Sequence, residues 1–407
     1  MNTVLTRSAE ETALHKQPGN RSSANLKYLQ VLLLLPALIF GLEGLFGLAG
    51  IGEQEYLRRD SLLGFAPMEN KTMTWRKEGF ARTQFNSYGM RDIERTLIKP
   101  PNVYRIAVIG DSYVESLQVD RNDSFCAKLE KRLSEPGEKT KVEVLNFGVS
   151  AYNLGQMMLR TENLALKFQP DMVLLVVRTH TSRQLPQNPN GGFLWARPSF
   201  TLNKDGQLIT DYGLQKGYME SSEGKRAQLL GWIRQHSRIW GVVSLCVEQV
   251  AAWWDKVSHP RFDLAAAAAK KTAFDQQSPH GSDASLQQTS KLLSEKCAIS
   301  VWPVADAIIT RMKNSCNDAG ARFCIVRLPG ARGDINREES RLLANSAKQL
   351  NVPYCDMTPV LERAVKKGDA EKIWYIGHFA PMGHDLIADE LLPFLKLQMK
   401  ETRQQQR

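Results

Sequence analysis

Tyr104-Arg105-Ile106-Ala107-Val108-Ile109-Gly110-Asp111-Ser112-Tyr113 is the stretch that decides the fold. A short apolar, β-branched run stops abruptly at Gly-Asp-Ser, and a segment of helical character follows. That order predicts a buried parallel strand delivering a small-residue turn to the carboxyl edge of a sheet. Open α/β sheets hold their ligands and reacting groups at that edge. Ser112 falls at the turn, where the N–H groups of a helix's first turn are free to point at an anion.

Downstream the same alternation repeats. A helix near Asp123–Leu133 carries Phe125, Leu129 and Leu133 at helical spacing, and strand Val142–Phe147 then ends in Gly148-Val149-Ser150. A helix near Leu154–Phe168 closes at Gln169-Pro170-Asp171, and Met172–Val177 reads as a third, fully buried strand. Apolar strands separated by helices predict right-handed parallel crossovers and a three-layer α/β/α sandwich. The pattern lapses over 184–299, which reads as a largely helical insertion or cap after the third strand. Phe200-Thr201-Leu202 and Leu208-Ile209-Thr210 flank Asn203-Lys204-Asp205-Gly206 as a β-hairpin. Ala227–Val257 reads as one or two amphipathic helices whose tryptophans could touch membrane or sugar, with core packing the better fit. The Ala-, Gln- and Ser-rich stretch near 265–290 is expected to be disordered. Regular structure resumes with a helix around Val301–Asn317, strand Arg322–Leu328, a helix near Glu338–Leu350, strand Val352–Met357 and helices at Pro359–Lys367 and Leu386–Lys396. Five strands follow, with the α/β domain split over 102–183 and 300–398.

Upstream, 52–101 reads as a linker and turn region, in which Arg91 and Asp92 could pair or contact ligand. Tyr28–Ile51 is nearly continuous hydrocarbon, interrupted by Pro36 and Glu43. Its length suits one bilayer crossing, since about 20 residues span the hydrocarbon core. An uncleaved anchor behind a cytoplasmic tail of residues 1–27 is preferred to a signal peptide ending at Gly47-Leu48-Ala49 and to a buried core helix. Arg58 and Arg59 beyond the span offset the upstream Arg7, Lys16, Arg21 and Lys27, so the charge rule barely orients it.

Composition narrows the partners. Lys and Arg number 53 against 43 Asp and Glu, a net +10 that favours anionic partners. No block of five or six like charges appears, which argues against nucleic acid. The six cysteines form no C-x-x-C pair and none lies near a His at zinc spacing, so no metal site is expected. A Cys297–Cys316 disulfide is conceivable in an oxidising compartment.

Gly110-Asp111-Ser112 after the first strand, Gly148 after the second and His378 before the last helix together resemble the SGNH (GDSL) hydrolase family. That resemblance implies a flavodoxin-like α/β fold that cleaves or transfers acyl groups without a cofactor. The wording of 86–92, 105–112 and 146–150 is similar to a membrane-anchored bacterial branch found with exopolysaccharide systems, in which related domains acetylate alginate. It implies an acylated polysaccharide or other ester substrate, exopolysaccharide partner proteins, and an inner-membrane protein with its catalytic domain on the periplasmic side. Ser112 would be the nucleophile and His378 its general base, with the N–H groups of Ser112 and Gly148 binding the oxyanion.

Two positions depart from the family. Its third oxyanion donor, an Asn, is replaced at the counted position by Thr181, and the Asp that orients its His by Ile376 or Tyr375. Asp385 or Asp356 could supply the carboxylate from elsewhere in the fold. Asp111 is expected to fix the turn, and His384 to be structural or to contact the Ser112 loop. The competing reading is a catalytically impaired relative that binds polysaccharide or serves as a scaffold.

Overall fold

The computed structural model describes residues 21–49, 51–52, 55–76, 78–134, 140–178, 185, 196–243, 246–247, 250, 283–330 and 337–405. In chain order, helix α1 (Arg21–Ala49) precedes two antiparallel hairpins, β1 (Leu57–Asp60) with β2 (Gly64–Pro67) and β3 (Thr72–Trp75) with β4 (Ala81–Gln84). Then come β5 (Val103–Ile109), α2 (Ser112–Glu115), α3 (Phe125–Leu133), β6 (Lys141–Asn146), α4 (Leu154–Asn163) and β7 (Met172–Arg178). The insertion contributes the hairpin β8 (Ser199–Leu202) and β9 (Leu208–Asp211), then α5 (Gly213–Glu220) and α6 (Ser222–His236). The chain closes with α7 (Asp283–Asp318), β10 (Arg322–Leu328), α8 (Arg337–Gln349), β11 (Tyr354–Asp356), α9 (Thr358–Ala364), α10 (Ala370–Ile373) and α11 (Pro381–Gln405).

The five central strands lie in the order β11-β10-β7-β5-β6, all parallel. Counted along the chain this is second-first-third-fourth-fifth, the flavodoxin-like doubly wound order expected from sequence. The order reverses between β5 and β7, and the crevice outside their carboxyl ends is where Gly110, Asp111 and Ser112 emerge. Successive side chains of β5 face opposite layers, as strand geometry requires. Ile106 and Val108 pack with Phe125 and Leu129 of α3 and Ile387 and Leu391 of α11, while Ala107 and Ile109 pack with Met157 of α4 and Ile308 of α7. Arg105, the one charge in this strand, is fully buried and satisfied by Glu143 on β6 at 2.8 Å and the carbonyls of Leu97 and Phe168.

Several expectations are corrected. The segment 52–101 is more than a linker, because Phe65, Phe85 and Met90 are completely buried in the core on the α4/α7 side. Within it Asp92 pairs with Arg95 at 3.1 Å, not with Arg91. Residues 283–290, expected to be disordered, belong to α7, whereas 265–282 lie outside the described residues. Cys297 and Cys316 sit on that same helix, roughly 28 Å apart along its axis at about 1.5 Å per residue, too far to bridge. Cys316 is a buried free thiol. Helix α1 begins at Arg21, before the expected Tyr28, and its window Leu32–Ala49, with mean hydropathy 2.1, is long and apolar enough to cross a membrane.

Candidate active site

The strand that opens the site hands over to a single turn of helix. Asp111 is the N-cap of α2, its Oδ1 accepting the Tyr113 N–H at 3.0 Å. Its other oxygen accepts from Arg178 Nε, at the end of β7, at 2.8 Å, and the Arg178 guanidinium lies 4.7 Å over the Tyr113 ring. Asp111 therefore holds the turn. Arg178, which sequence reading did not single out, ties that turn to the neighbouring strand across the switch point. The far end of α2 is capped too: Arg91 donates to the Glu115 carbonyl at 3.1 Å and to the Val119 carbonyl. Ser112 is thereby fixed on a short helix clamped at both ends.

His378 comes from a tight turn between α10 and α11. Trp374 and Phe379 bridge across it, and the Tyr375 N–H donates to the His378 carbonyl at 2.8 Å. Tyr113, beside Ser112, packs its ring 5.3 Å from His378 and 5.1 Å from Phe379, and its hydroxyl donates to the Gly377 carbonyl at 2.8 Å. These contacts bring His378 Nε2 to 2.8 Å from Ser112 Oγ, across 266 positions of sequence.

The carboxylate behind the histidine is Glu78, which sequence reading missed. It lies in the loop joining β3 to β4. Glu78 Oε1 pairs with His378 Nδ1, and Oε2 accepts the N–H groups of Gly377 at 2.8 Å and His378 at 3.2 Å. Burial pushes against ionisation, but the hydrogen bonds from Gly377 and His378 prevail and hold Glu78 below the usual glutamate range. An ionised Glu78 at Nδ1 leaves Nε2 facing Ser112 as the acceptor of its proton. Gly79 makes this approach possible: its φ is +66°, and a Cβ there would lie 2.3 Å from the Gln118 carbonyl oxygen and 2.8 Å from the Tyr375 ring.

Other expected residues stand elsewhere. Asp385 is paired with Lys128 at 2.9 Å and Arg132 at 2.7 Å. Asp356 is held by Arg327 at 3.0 Å and the Thr358 N–H at 2.9 Å. Neither supports His378, since each is committed to cations on its own side of the fold. His384 is buried with its ring stacked on Phe125, and its Nδ1 accepts the Phe125 N–H at 3.3 Å. Burial, with Arg91 and Lys128 nearby, drives its pKa down to about 3, so it stays neutral.

The oxyanion donors also differ from expectation. The Gly148 N–H donates to Asn146 Oδ1 at 2.9 Å, while Asn146 Nδ2 donates to the Val114 carbonyl at 2.8 Å. This local turn engages the Gly148 donor inside the protein. Gly148 instead serves packing, because a Cβ would come within 2.3 Å of the Glu115 nitrogen. Among the described residues no acceptor faces the Ser112 N–H, at the first position of α2. Thr181 lies outside the described residues. Among the described residues no cluster of three His, Cys, Asp or Glu side chains could hold a metal.

No family model matches the chain, and no curated protein matches it. Among solved structures it is similar to the acetyl xylan esterase AlAXEase, with 13% identity and a TM-score of 0.34 over 70% of this chain and 97% of that one. The psychrotrophic esterase EstA from Pseudoalteromonas sp. gives 10% identity and 0.34 over 73% and 98%, and TesA 14% and 0.33 over 72% and 98%. With scores this low, the fold stands on the strand order of its own sheet and the site on its own geometry.

Proposed function

We propose that this chain is a serine ester hydrolase or O-acyltransferase in which Ser112, His378 and Glu78 act as nucleophile, base and orienting carboxylate. The observation that carries the reading is the continuous relay from Glu78 through His378 to Ser112 Oγ, built from three distant segments at a doubly wound switch point. As Ser112 Oγ attacks the ester carbonyl, its proton passes to His378 Nε2 and the imidazolium formed is stabilised by Glu78. The same proton then goes to the departing alkoxide, leaving an acyl-serine and a free alcohol. Water, in hydrolysis, or an acceptor hydroxyl, in transfer, repeats the cycle on that intermediate. The Ser112 N–H is available for the oxyanion, a donor of the kind whose loss costs about 10²–10³-fold in kcat.

Glu78 occupies the role left open by Ile376 and Tyr375, which favours the active reading over a binding or scaffold relative. The finer assignment is a membrane-anchored enzyme working on acyl, principally acetyl, esters of an extracytoplasmic glycan, alongside exopolysaccharide proteins of a bacterial inner membrane. Its support is the apolar α1, the +10 charge and the resemblance of 86–92, 105–112 and 146–150 to that branch.

Hydrolysis of p-nitrophenyl acetate by the full chain in detergent micelles tests the chemistry. Turnover is expected, with loss of it in Ser112→Ala. Equal rates for the two proteins would sink the proposal. Release of acetate from acetylated alginate, against acetylated xylan as a neutral polymer, tests the preference for an anionic glycan.

A further inference from the structure

Glu115 is an acid at the site that the relay does not use. It closes α2, one turn along from Ser112, and residues three apart on a helix have Cβ atoms about 5–6 Å apart. Its side chain is completely buried. Oε2 accepts the Ser150 N–H at 2.8 Å, the Ser150 hydroxyl, and the Tyr56 hydroxyl at 3.3 Å. Oε1 is buried with no hydrogen-bond partner among the described residues, which a neutral carboxyl tolerates far better than an ionised one. One side chain thus joins the nucleophile's helix to the loop after β6 and to the chain before β1.

This carboxyl and the base belong to opposite layers. Tyr56 and Tyr152, which face Glu115, pack in the α4/α7 layer, whereas Tyr113 and Phe379, which pack about His378, lie in the α3/α11 layer. A negative charge at Glu115 therefore stands behind α2, whose Ser112 N–H is the oxyanion donor, and across the sheet from the imidazolium. The cations that face it do not bond to it. Arg91, after β4, donates to Thr83 Oγ1 at 3.0 Å and to the carbonyls of Glu115 and Val119, and Arg160 of α4 donates to the carbonyls of Phe147 and Gly89. Tyr56 and Tyr152, their phenols pushed up by burial, stay neutral. Burial outweighs the Ser150 bonds and the pull of Arg91 and Arg160, and holds the Glu115 pKa at about 7.

We infer, on the reading of Ser112, His378 and Glu78 as a relay, that Glu115 is a proton switch on the reaction: the site works with this carboxyl protonated and slows when it ionises. Two unit charges about 6 Å apart at an effective dielectric of about 20 interact strongly enough to change a rate about 100-fold. Arg91 and Arg160 offset part of that, so a fall of about tenfold is expected.

The test is the pH profile of kcat/KM for p-nitrophenyl acetate, which reports the free enzyme's essential acid and base. It is followed with the full chain in detergent micelles from about pH 5 to about pH 9, with the Ser112→Ala rate subtracted. Wild type is expected to rise as His378 loses its proton and then to fall about tenfold through the neutral range. Glu115→Gln, which keeps the neutral shape, is expected to keep the rise and lose the fall. Ser150→Ala, a second variant, removes a donor that favours the charged form and is expected to move the falling limb to higher pH. A merely structural role would lower the rate at every pH and leave the limb in place. An active wild type with no falling limb overturns the switch and leaves the relay standing. So does a limb unmoved in Glu115→Gln, or in Ser150→Ala should the first variant fail to fold. Wild-type turnover no greater than that of Ser112→Ala overturns the relay, and the switch with it.

Discussion

Glu78 is the residue on which the functional reading turns, and its removal has a definite expected effect. Glu78→Gln keeps the size of the side chain but frees His378 to adopt the wrong tautomer, and a loss on the order of 10⁴-fold in kcat is expected. KM should change little and the circular dichroism spectrum not at all; a rate within a few-fold of wild type would remove Glu78 from the relay. Ser112 and His378 were legible in the sequence, one from a strand ending in Gly-Asp-Ser and the other from the Gly-His block before the last helix. Glu78 was not, because it is 300 positions from its partner and lies between two short strands with no periodic signal. Gly148 was legible as a functional glycine but for the wrong reason, since close packing on α2 and not a free N–H requires it. Beside the site, Glu115 makes a prediction of its own. It is completely buried, accepting from the Ser150 N–H at 2.8 Å, the Ser150 hydroxyl and Tyr56. Burial raises its pKa from the ordinary 4.5 to about 7 in spite of those bonds. Between these values the folded chain keeps a proton that the unfolded chain has lost, so the contribution to stability falls as pH rises through the window and is level above it. The full span amounts to about 3 kcal/mol. Denaturant melts at pH 5 and pH 8 should show wild type losing stability relative to Glu115→Gln, whose side chain does not titrate; parallel behaviour would show Glu115 ionised throughout.

At the scale of elements, the proposed relay depends on a loop inside the segment whose sequence reads as a linker. The β3–β4 turn must approach the His378 turn closely, and Gly79 is what lets it. Gly79→Ala forces a Cβ against the Gln118 carbonyl oxygen at a φ that side chains rarely adopt. The loop must shift, taking Glu78 with it, and misplacement of about 1 Å can cost about 10²-fold. The expected result is a loss of kcat of that order with a cooperative thermal melt retained; undiminished activity would mean that the loop absorbs the methyl without moving Glu78. The central strands, by contrast, were readable to within a residue or two wherever both faces are buried, because runs such as Met172–Val177 are too short for a helix and rich in β-branched residues. The edge strand β11 is shorter than expected, and α7 much longer. Residues 283–290, the first two turns of α7, read as disorder because they lack a sustained apolar stripe, yet Ala, Leu and Gln are also good helix formers.

For the whole molecule, the question is whether the hairpins upstream of the sheet are an appendage or part of the fold. Tyr56, Leu57, Phe65, Met73, Phe85 and Met90 are buried in the same core cluster as Met157 and Ile309. Burying one such side chain stabilises by about 1.5–3 kcal/mol. Losing six removes as much as the entire net stability of a typical domain, about 5–15 kcal/mol. Polar contacts reinforce the attachment. Arg91 caps α2, Arg95 reaches Glu130 on α3 at 2.7 Å, and Tyr152 donates to the Phe65 carbonyl at 2.7 Å. A chain starting at residue 52 therefore keeps the core and the whole relay, and is expected to melt cooperatively and to hydrolyse p-nitrophenyl acetate in mild detergent. A chain starting at residue 97 keeps every strand of the central sheet together with Ser112 and His378, but loses Glu78 and those six core side chains. It is expected to be inactive and to show no cooperative melt by circular dichroism. Loss of activity with an intact melt would confine the hairpins to the site, whereas loss of both, the outcome expected here, makes them part of what holds the sheet together.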